Sequence, residues 1–560
     1  MKLIAFALCA VCLASNPARA APLDAKALNA DRLDGLSAPA AFMPGPGAAP
    51  ASGQIEGRLT LTPKARPDGL SVLTDDMPRT PDPHLSWPDL SIDLVQDGER
   101  VIPAQRGPIA GSHRDWEWVV EPGIVWTEPA DAGFSRVVLP VALEERNANC
   151  VHNGRLTFLF KPDGTTSKAA VQFDAETCAY DKFDAWSLVP VRYVPGPIDQ
   201  AQALIDRDRA ERAARLPLKT LGDLAATFPG LDVAALARAA GPSAVWGVAA
   251  GGAHYAAPCP TRAGEDPLCA ERDLPSYSTA KSLVAAQALF RLEALKPGTI
   301  NEKIADHVPG CARAGGWGDV RLIDMLDMAS GHYVSAAANA DEAAPDLQAF
   351  FLSTTAAEKI TFACGVPRKA APGKTWVYHT FDTFLLGVAM TDVLRKAGLG
   401  QDIYDALVRP IWDSIGQSAT LDETRRTYDA AAQPFAGWGL TFRRDDVVRA
   451  SRFLAAGGQV NHKPYLDPKL LAEAMQKASP GGGFTALAPS LRYRHGFWAR
   501  NVGPLIGCGH PVWAAYLSGF GGISVVMFPN DVQFYAFNDD NHFDWAAAAP
   551  EIDKIRSLCR

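Results

Sequence analysis

From Gly57 to Pro197 the chain alternates apolar and polar positions in short runs broken by turn residues. Arg58-Leu-Thr-Leu-Thr62 is one such run; others are Ser91 to Val95 before Asp97-Gly98, Trp116 to Val120 before Pro122-Gly123, and Arg155 to Phe160 before Pro162-Asp163-Gly164. A period of two with Asp-Gly and Pro-Gly punctuation predicts hairpins, and hence an all-β domain over residues 55–197. Ahead of it, residues 21–54 are rich in Ala, Pro and Gly, which predicts a flexible leader. After it, Ile198 to Leu216 carries Asp-Arg-Asp-Arg-Ala-Glu-Arg-Ala-Ala-Arg, a charged helical pattern with a solvated face, and a helical connector is expected to run to residue 239. Residues 240–560 mix helical and strand patterns, and no internal repeat is visible along the chain.

Alternation places Trp116 and Trp118 on one face of their strand. Paired indoles can stack on sugar rings, but they more commonly fill a core, and the core is the expectation here. The task of the β domain is not legible from its pattern.

Composition narrows the class. A hydrophobic content of 48%, a charged content of 21% and a net charge of −8 describe a globular protein. There is no dense Lys/Arg run, which argues against nucleic-acid and anionic-membrane partners. Lys2, the apolar stretch Leu3 to Leu13 and Ala18-Arg19-Ala20 form the pattern of a signal peptide over residues 1–20, cleaved after Ala20. That apolar stretch is far short of the roughly 20 residues a membrane span needs. A secreted or periplasmic protein is expected. Eight cysteines then remain, an even number that in an exported chain favours disulfides. Nearest-neighbour pairing predicts Cys150–Cys178, Cys259–Cys269, Cys311–Cys364 and Cys508–Cys559. No Cys-x-x-Cys spacing suggests a zinc or redox site.

Three segments of the C-terminal part carry chemistry. Ser278 and Lys281, in Pro-Ser-Tyr-Ser-Thr-Ala-Lys-Ser-Leu-Val, stand three residues apart at the mouth of an apolar helical run. That spacing puts a hydroxyl and an amine on one helix face, an arrangement for a serine nucleophile deprotonated by lysine. Tyr378 lies in Trp376-Val-Tyr-His-Thr380, and a phenol beside such a pair can relay a proton. His379 invites a triad, but no Gly-x-Ser-x-Gly elbow supplies its serine. Leu517-Ser518-Gly519-Phe520 precedes a β-branched run. Glycine there lets backbone approach a substrate, and the N–H groups of Phe520 and Ser278 could form an oxyanion hole.

Taken in order, these segments resemble the serine β-lactamase and penicillin-binding-protein superfamily, in particular the branch of class C β-lactamases, D,D-peptidases and related esterases and amide hydrolases. Val320 to Gly331, Gly437-Trp-Gly-Leu-Thr441, Ala455-Ala-Gly-Gly458 and Tyr493-Arg-His-Gly-Phe-Trp498 resemble further markers of that family. The resemblance spans roughly residues 240–560. It implies an α/β (α+β) fold, a five-stranded antiparallel sheet flanked by helices, here preceded by the all-β domain. It also implies catalysis by Ser278, Lys281 and Tyr378, with Thr380, Ser518 and Gly519 binding substrate.

Two positions depart from the family pattern. Thr380 stands where the second motif often has Asn, and keeps a donor and acceptor without the amide. Leu517 stands where the third motif has Lys or His, so a charge-assisted bond of about 1.5–3 kcal/mol to a substrate carboxylate is missing. The expectation is therefore a serine hydrolase acting on an ester or amide through an acyl-enzyme, with no metal or organic cofactor required. A β-lactamase or D,D-peptidase is the first alternative, and a non-catalytic binding protein on a hydrolase scaffold the second.

Overall fold

The four alternating runs each fall in a strand of an eleven-stranded antiparallel sheet, with hairpins at Asp97-Gly98 and Pro162-Asp163-Gly164 but none at Pro122-Gly123, where Trp116–Val120 pairs instead with Ser135–Glu145. The computed structural model describes residues 23–559 except 34, 67–69, 76–81 and 243. The expected signal peptide therefore lies outside the described residues. The long strands Ser135–Glu145, Val151–Phe160 and Ala169–Thr177 form the middle of the sheet. Their side chains alternate between two cores. Val137, Leu139, Val141 and Leu143 face one with Trp116, Trp118 and Phe158, while Val138 and Leu159 face the other with Trp126 and Trp186. Trp116 and Trp118 are buried, and their indole N–H groups donate to the carbonyls of Pro83 and Pro88 at 2.8 Å. They offer no exposed platform to a sugar.

The leader expected to be flexible is packed instead. Leu23, Leu28, Leu33 and Phe42 are buried against Trp126, Val138 and Trp186. Four apolar side chains spaced through an Ala- and Pro-rich segment suffice to cover the second face of the sheet, and each recovers about 1.5–3 kcal/mol by leaving water.

The charged segment forms the helix Ala201–Ala213, and its expected solvated face is only half present. Asp208 and Glu211 are buried. Asp208 accepts from Arg100 at 2.9 Å and Glu211 pairs with Arg443, so this helix ties the β domain to the rest of the chain through ion pairs. Burial of charge is tolerated because each carboxylate meets a guanidinium.

In the C-terminal part a nine-stranded sheet replaces the five strands expected. Five longer strands, Val245–Ala250, Phe497–Asn501, Trp513–Gly519, Ile523–Met527 and Gln533–Phe537, make its antiparallel centre. Short strands extend both edges, and Leu218–Lys219 joins in parallel. On one face lie the apolar helices, including Gln287–Leu295 and Thr380–Lys396, with Ala285, Leu289, Phe384 and Leu517 in one core. On the other, the short helix Val233–Ala240 and the C-terminal residues Trp545 to Ile552 close a second core. The eight cysteines pair as nearest neighbours: 150–178, 259–269, 311–364 and 508–559. Among the described residues no helix is long and apolar enough to cross a membrane.

Candidate active site

Ser278 sits in a short 3-10 turn, Tyr277–Thr279, at the head of the buried helical run. Lys281 opens a wide π turn, Lys281–Ala286, before the regular helix begins. Such turns are rare and concentrate where a side chain must be re-aimed. Lys281 Nζ lies 2.8 Å from Ser278 Oγ. It donates also to Thr380 Oγ1 at 2.8 Å, and the carbonyl of Gly437 stands 3.5 Å away.

Thr380 begins the Thr380–Lys396 helix. Its backbone N–H donates to Glu342 Oε2 at 2.8 Å and its hydroxyl donates to Glu342 Oε1. A single row of hydrogen bonds therefore runs from Ser278 through Lys281 and Thr380 to Glu342. Thr380, expected to bind substrate, is occupied here as the link between amine and carboxylate. Glu342 was not anticipated. It lies in an Ala-rich loop with no helical or strand pattern, and only its position next to the helix start in space reveals it.

Burial pulls the Lys281 amine down to about 8, and the negative charge of Glu342 opposes the fall. Lys281 thus has a substantial neutral fraction near physiological pH, as a base needs. Tyr378 is half-buried, with Lys281 Nζ 4.8 Å from its ring centroid. Burial and then the Glu342 charge push its phenol well above the ordinary value, and a hydrogen bond with Ser278 works the other way. A phenol held protonated is a proton donor.

His379 takes no part in this row. Its Nε2 lies 2.9 Å from Asp341 and its Nδ1 3.8 Å from Asp382, both on the buried side of the helix start. Asp341 in turn accepts from the N–H groups of Val334 and Ser335, closing the loop that carries Glu342.

The third segment runs beside the turn that carries Ser278. A Cβ at Gly519 would come 2.9 Å from the carbonyl oxygen of Ser276, so only glycine allows this approach. Phe520 is 49% exposed, with its ring 5.7 Å from Tyr277 and 6.0 Å from Tyr180. Ser518 is half-buried and pairs in register with Ser524. Leu517 is buried in the apolar core and itself offers no charge to a substrate carboxylate. Cys150, His152 and Cys178 come close enough together to suggest metal ligands, but the two cysteines are spent in a disulfide. A cleft of about 720 Å³ lined by Leu221, Arg238, Trp246 and Glu265 contains none of these site residues.

The Beta-lactamase family model matches residues 234–543, more than half of the chain. The chain belongs to the Beta-lactamase family. Its Ser278, Lys281, Tyr378 and Gly519 all fall inside the matched segment, and the family comprises hydrolases of this fold. Three solved structures similar to this family member are a putative 6-aminohexanoate-dimer hydrolase from Bacillus anthracis, a D-stereospecific amidohydrolase from Streptomyces sp. and a penicillin-binding-protein homologue from Caulobacter crescentus. Each is 16% identical, with TM-scores of 0.42, 0.41 and 0.39. The matches cover 56%, 57% and 57% of this chain and 79%, 98% and 97% of the other. A search of the curated proteins finds no match.

Proposed function

We propose that this β-lactamase-family protein is an exported serine hydrolase that cleaves an ester or amide through an acyl-enzyme on Ser278. The observation that carries this reading is the 2.8 Å approach of a buried, depressed Lys281 amine to Ser278 Oγ. In the first step Ser278 Oγ gives its proton to Lys281 Nζ and bonds to the substrate carbonyl carbon. The carbonyl oxygen takes the electron pair and is met by the N–H groups of Ser278 and Phe520. As the tetrahedral adduct collapses, the bond to the leaving group breaks. The leaving group takes the Tyr378 proton, and the Lys281 ammonium restores it. Water then repeats the sequence: its proton passes to the amine, its oxygen bonds to the acyl carbon, and Ser278 leaves with a proton returned. The acid product departs with no cofactor consumed.

Four disulfides favour an oxidising compartment outside the cytoplasm, in keeping with the signal-peptide pattern. Burial of Leu517 in the core argues for esters or amides without a carboxylate to anchor, over β-lactams and D-alanyl peptides. Incubation with a fluorophosphonate followed by peptide mapping tests the reading. Label on Ser278 that disappears in Lys281→Ala is expected; label elsewhere, or none, would overturn it. Parallel assays with short-chain esters and nitrocefin separate an esterase from a β-lactamase.

A further inference from the structure

The hairpin between strands Ser135–Glu145 and Val151–Phe160 belongs to the N-terminal β sheet, yet its tip ends at the nucleophile. Asn149 is fully buried there. Its Oδ1 accepts from the backbone N–H of Tyr277 at 2.7 Å, from Ser276 Oγ at 3.0 Å and from the N–H of Gly439 at 3.1 Å. Its Nδ2 donates to Glu144 Oε1 at 3.0 Å and to the Leu440 carbonyl at 3.2 Å. Two backbone donors on one side and a carbonyl and a carboxylate on the other leave only one orientation for the amide.

The turn that Asn149 holds is strained. Tyr277 has φ +40°, a left-handed conformation that costs a bulky residue energy and persists only where surroundings impose it. Tyr277 directly precedes Ser278. The other strip bound by Asn149, Gly439 and Leu440, continues from Gly437, whose carbonyl faces Lys281 Nζ. One side chain thus joins the turn before Ser278 to the strip whose Gly437 carbonyl faces the Lys281 amine.

We propose that Asn149 of the N-terminal domain is a positioning residue for the reaction, clamping the Ser276–Tyr277 turn so that Ser278 Oγ stays within reach of Lys281. The proposal rests on the reading of Ser278 as the nucleophile, and it assigns the β domain a part in the chemistry of its neighbour. The anchorage of the clamp is stiff. Cys150, the next residue, is tied to Cys178, and Glu144 is held by Thr441 Oγ1 at 2.8 Å and by Arg425 Nε at 3.2 Å. Tyr180, two residues beyond Cys178, sets its ring at a tilt 6.0 Å from that of Phe520 and donates to Glu145 at 2.6 Å.

Asn153 supplies the control. It lies on the same hairpin and makes a matching pair of bonds across the same interface, donating to the Asp273 carbonyl at 2.9 Å and accepting from the Asp273 N–H at 3.0 Å. It does not touch the Ser276–Tyr277 turn. Asn149→Ala and Asn153→Ala should therefore both weaken the interface, and only the first should disturb catalysis. For Asn149→Ala we expect kcat on a short-chain ester, and the rate of fluorophosphonate labelling at Ser278, to fall by up to about 100-fold with KM little changed. Asn153→Ala should keep kcat within about threefold while still lowering Tm. Amide hydrogen exchange in peptides spanning residues 274–283 should speed up in the full-length Asn149→Ala protein only. Wild-type kcat and exchange in Asn149→Ala, or equal losses in both variants, would overturn the proposal. A wild-type protein that is never labelled at Ser278 sinks the hydrolase reading instead, and the exchange contrast still decides whether Asn149 is the clamp. Should Asn149→Ala fail to fold, Ser276→Ala, which removes one of the three donors to Asn149 Oδ1, must slow fluorophosphonate labelling of Ser278; labelling at the wild-type rate would overturn the proposal.

Discussion

Lys281 Nζ donates to Thr380 Oγ1 at 2.8 Å, the same distance at which it meets Ser278 Oγ. Thr380 passes the hydrogen bond on to Glu342. A threonine can do this because one hydroxyl accepts and donates at once. Thr380→Val keeps the shape and removes the link, leaving a buried amine with one partner fewer, at a cost of about 1–3 kcal/mol. Its kcat/KM on an ester should fall about 10- to 100-fold, while Thr380→Ser stays near wild type. Equal rates for Val and Ser would show that the link is not used.

The pH dependence follows from the base. Burial lowers Lys281 to about 8 and Glu342 opposes that shift. The amine accepts a proton only when neutral, so kcat/KM should rise with pH through about 8. Glu342→Gln removes the charge that favours the ammonium, so the rising limb should move to lower pH. The pH–rate profile of the two proteins is the measurement, and an unmoved limb would exclude Glu342 from the role.

His379 makes a separate prediction about stability. Burial alone would lower it, but the hydrogen bond with Asp341 and the nearby Asp382 carboxylate outweigh burial and raise it to about 9. A raised folded pKa stabilises the protein fully below the ordinary imidazole value near 6.5, and the benefit is lost as pH climbs through about 9. Tm should therefore decline between pH 7 and 9.5. In Asp341→Asn that decline should flatten, because the partner charge is gone at every pH.

Gly519→Ala should test the contact between the third segment and the nucleophile turn. The new Cβ, 2.9 Å from the Ser276 oxygen, must push backbone aside. Overpacking of this kind costs roughly 1–3 kcal/mol. A lowered Tm together with slowed labelling of Ser278 is expected; an unchanged labelling rate would mean that the turn absorbs the shift without moving the serine.

Local patterns already carried much of this molecule. Alternation along Arg58–Thr62 and Arg155–Phe160 showed strands because a pleated strand exposes its two faces in turn. Ser278 and Lys281 were visible as a pair because three residues make nearly one helical turn. Tyr378 and Gly519 could be added because the order of segments matches a family. Glu342 escaped notice because an acidic residue in an Ala-rich loop has no local partner to announce it. The leader was misjudged because Leu28 and Phe42 are too sparsely spaced to form a periodic face, yet a sheet surface folded against them is enough to bury them.

Asn149 marks where reading along the chain ends. It stands 128 residues from Tyr277, in a domain whose pattern spoke only of strands. Spacing of a few residues is set by backbone geometry, so the contact of Ser278 with Lys281 and the disulfide neighbours could be named from the order of residues alone. Contacts between distant segments are set by which surfaces exclude water together and which buried polar groups must then find partners. Folding alone brought Glu342 to Thr380 and the β hairpin to the turn before Ser278, because each side chain satisfies a backbone N–H that the other segment leaves open.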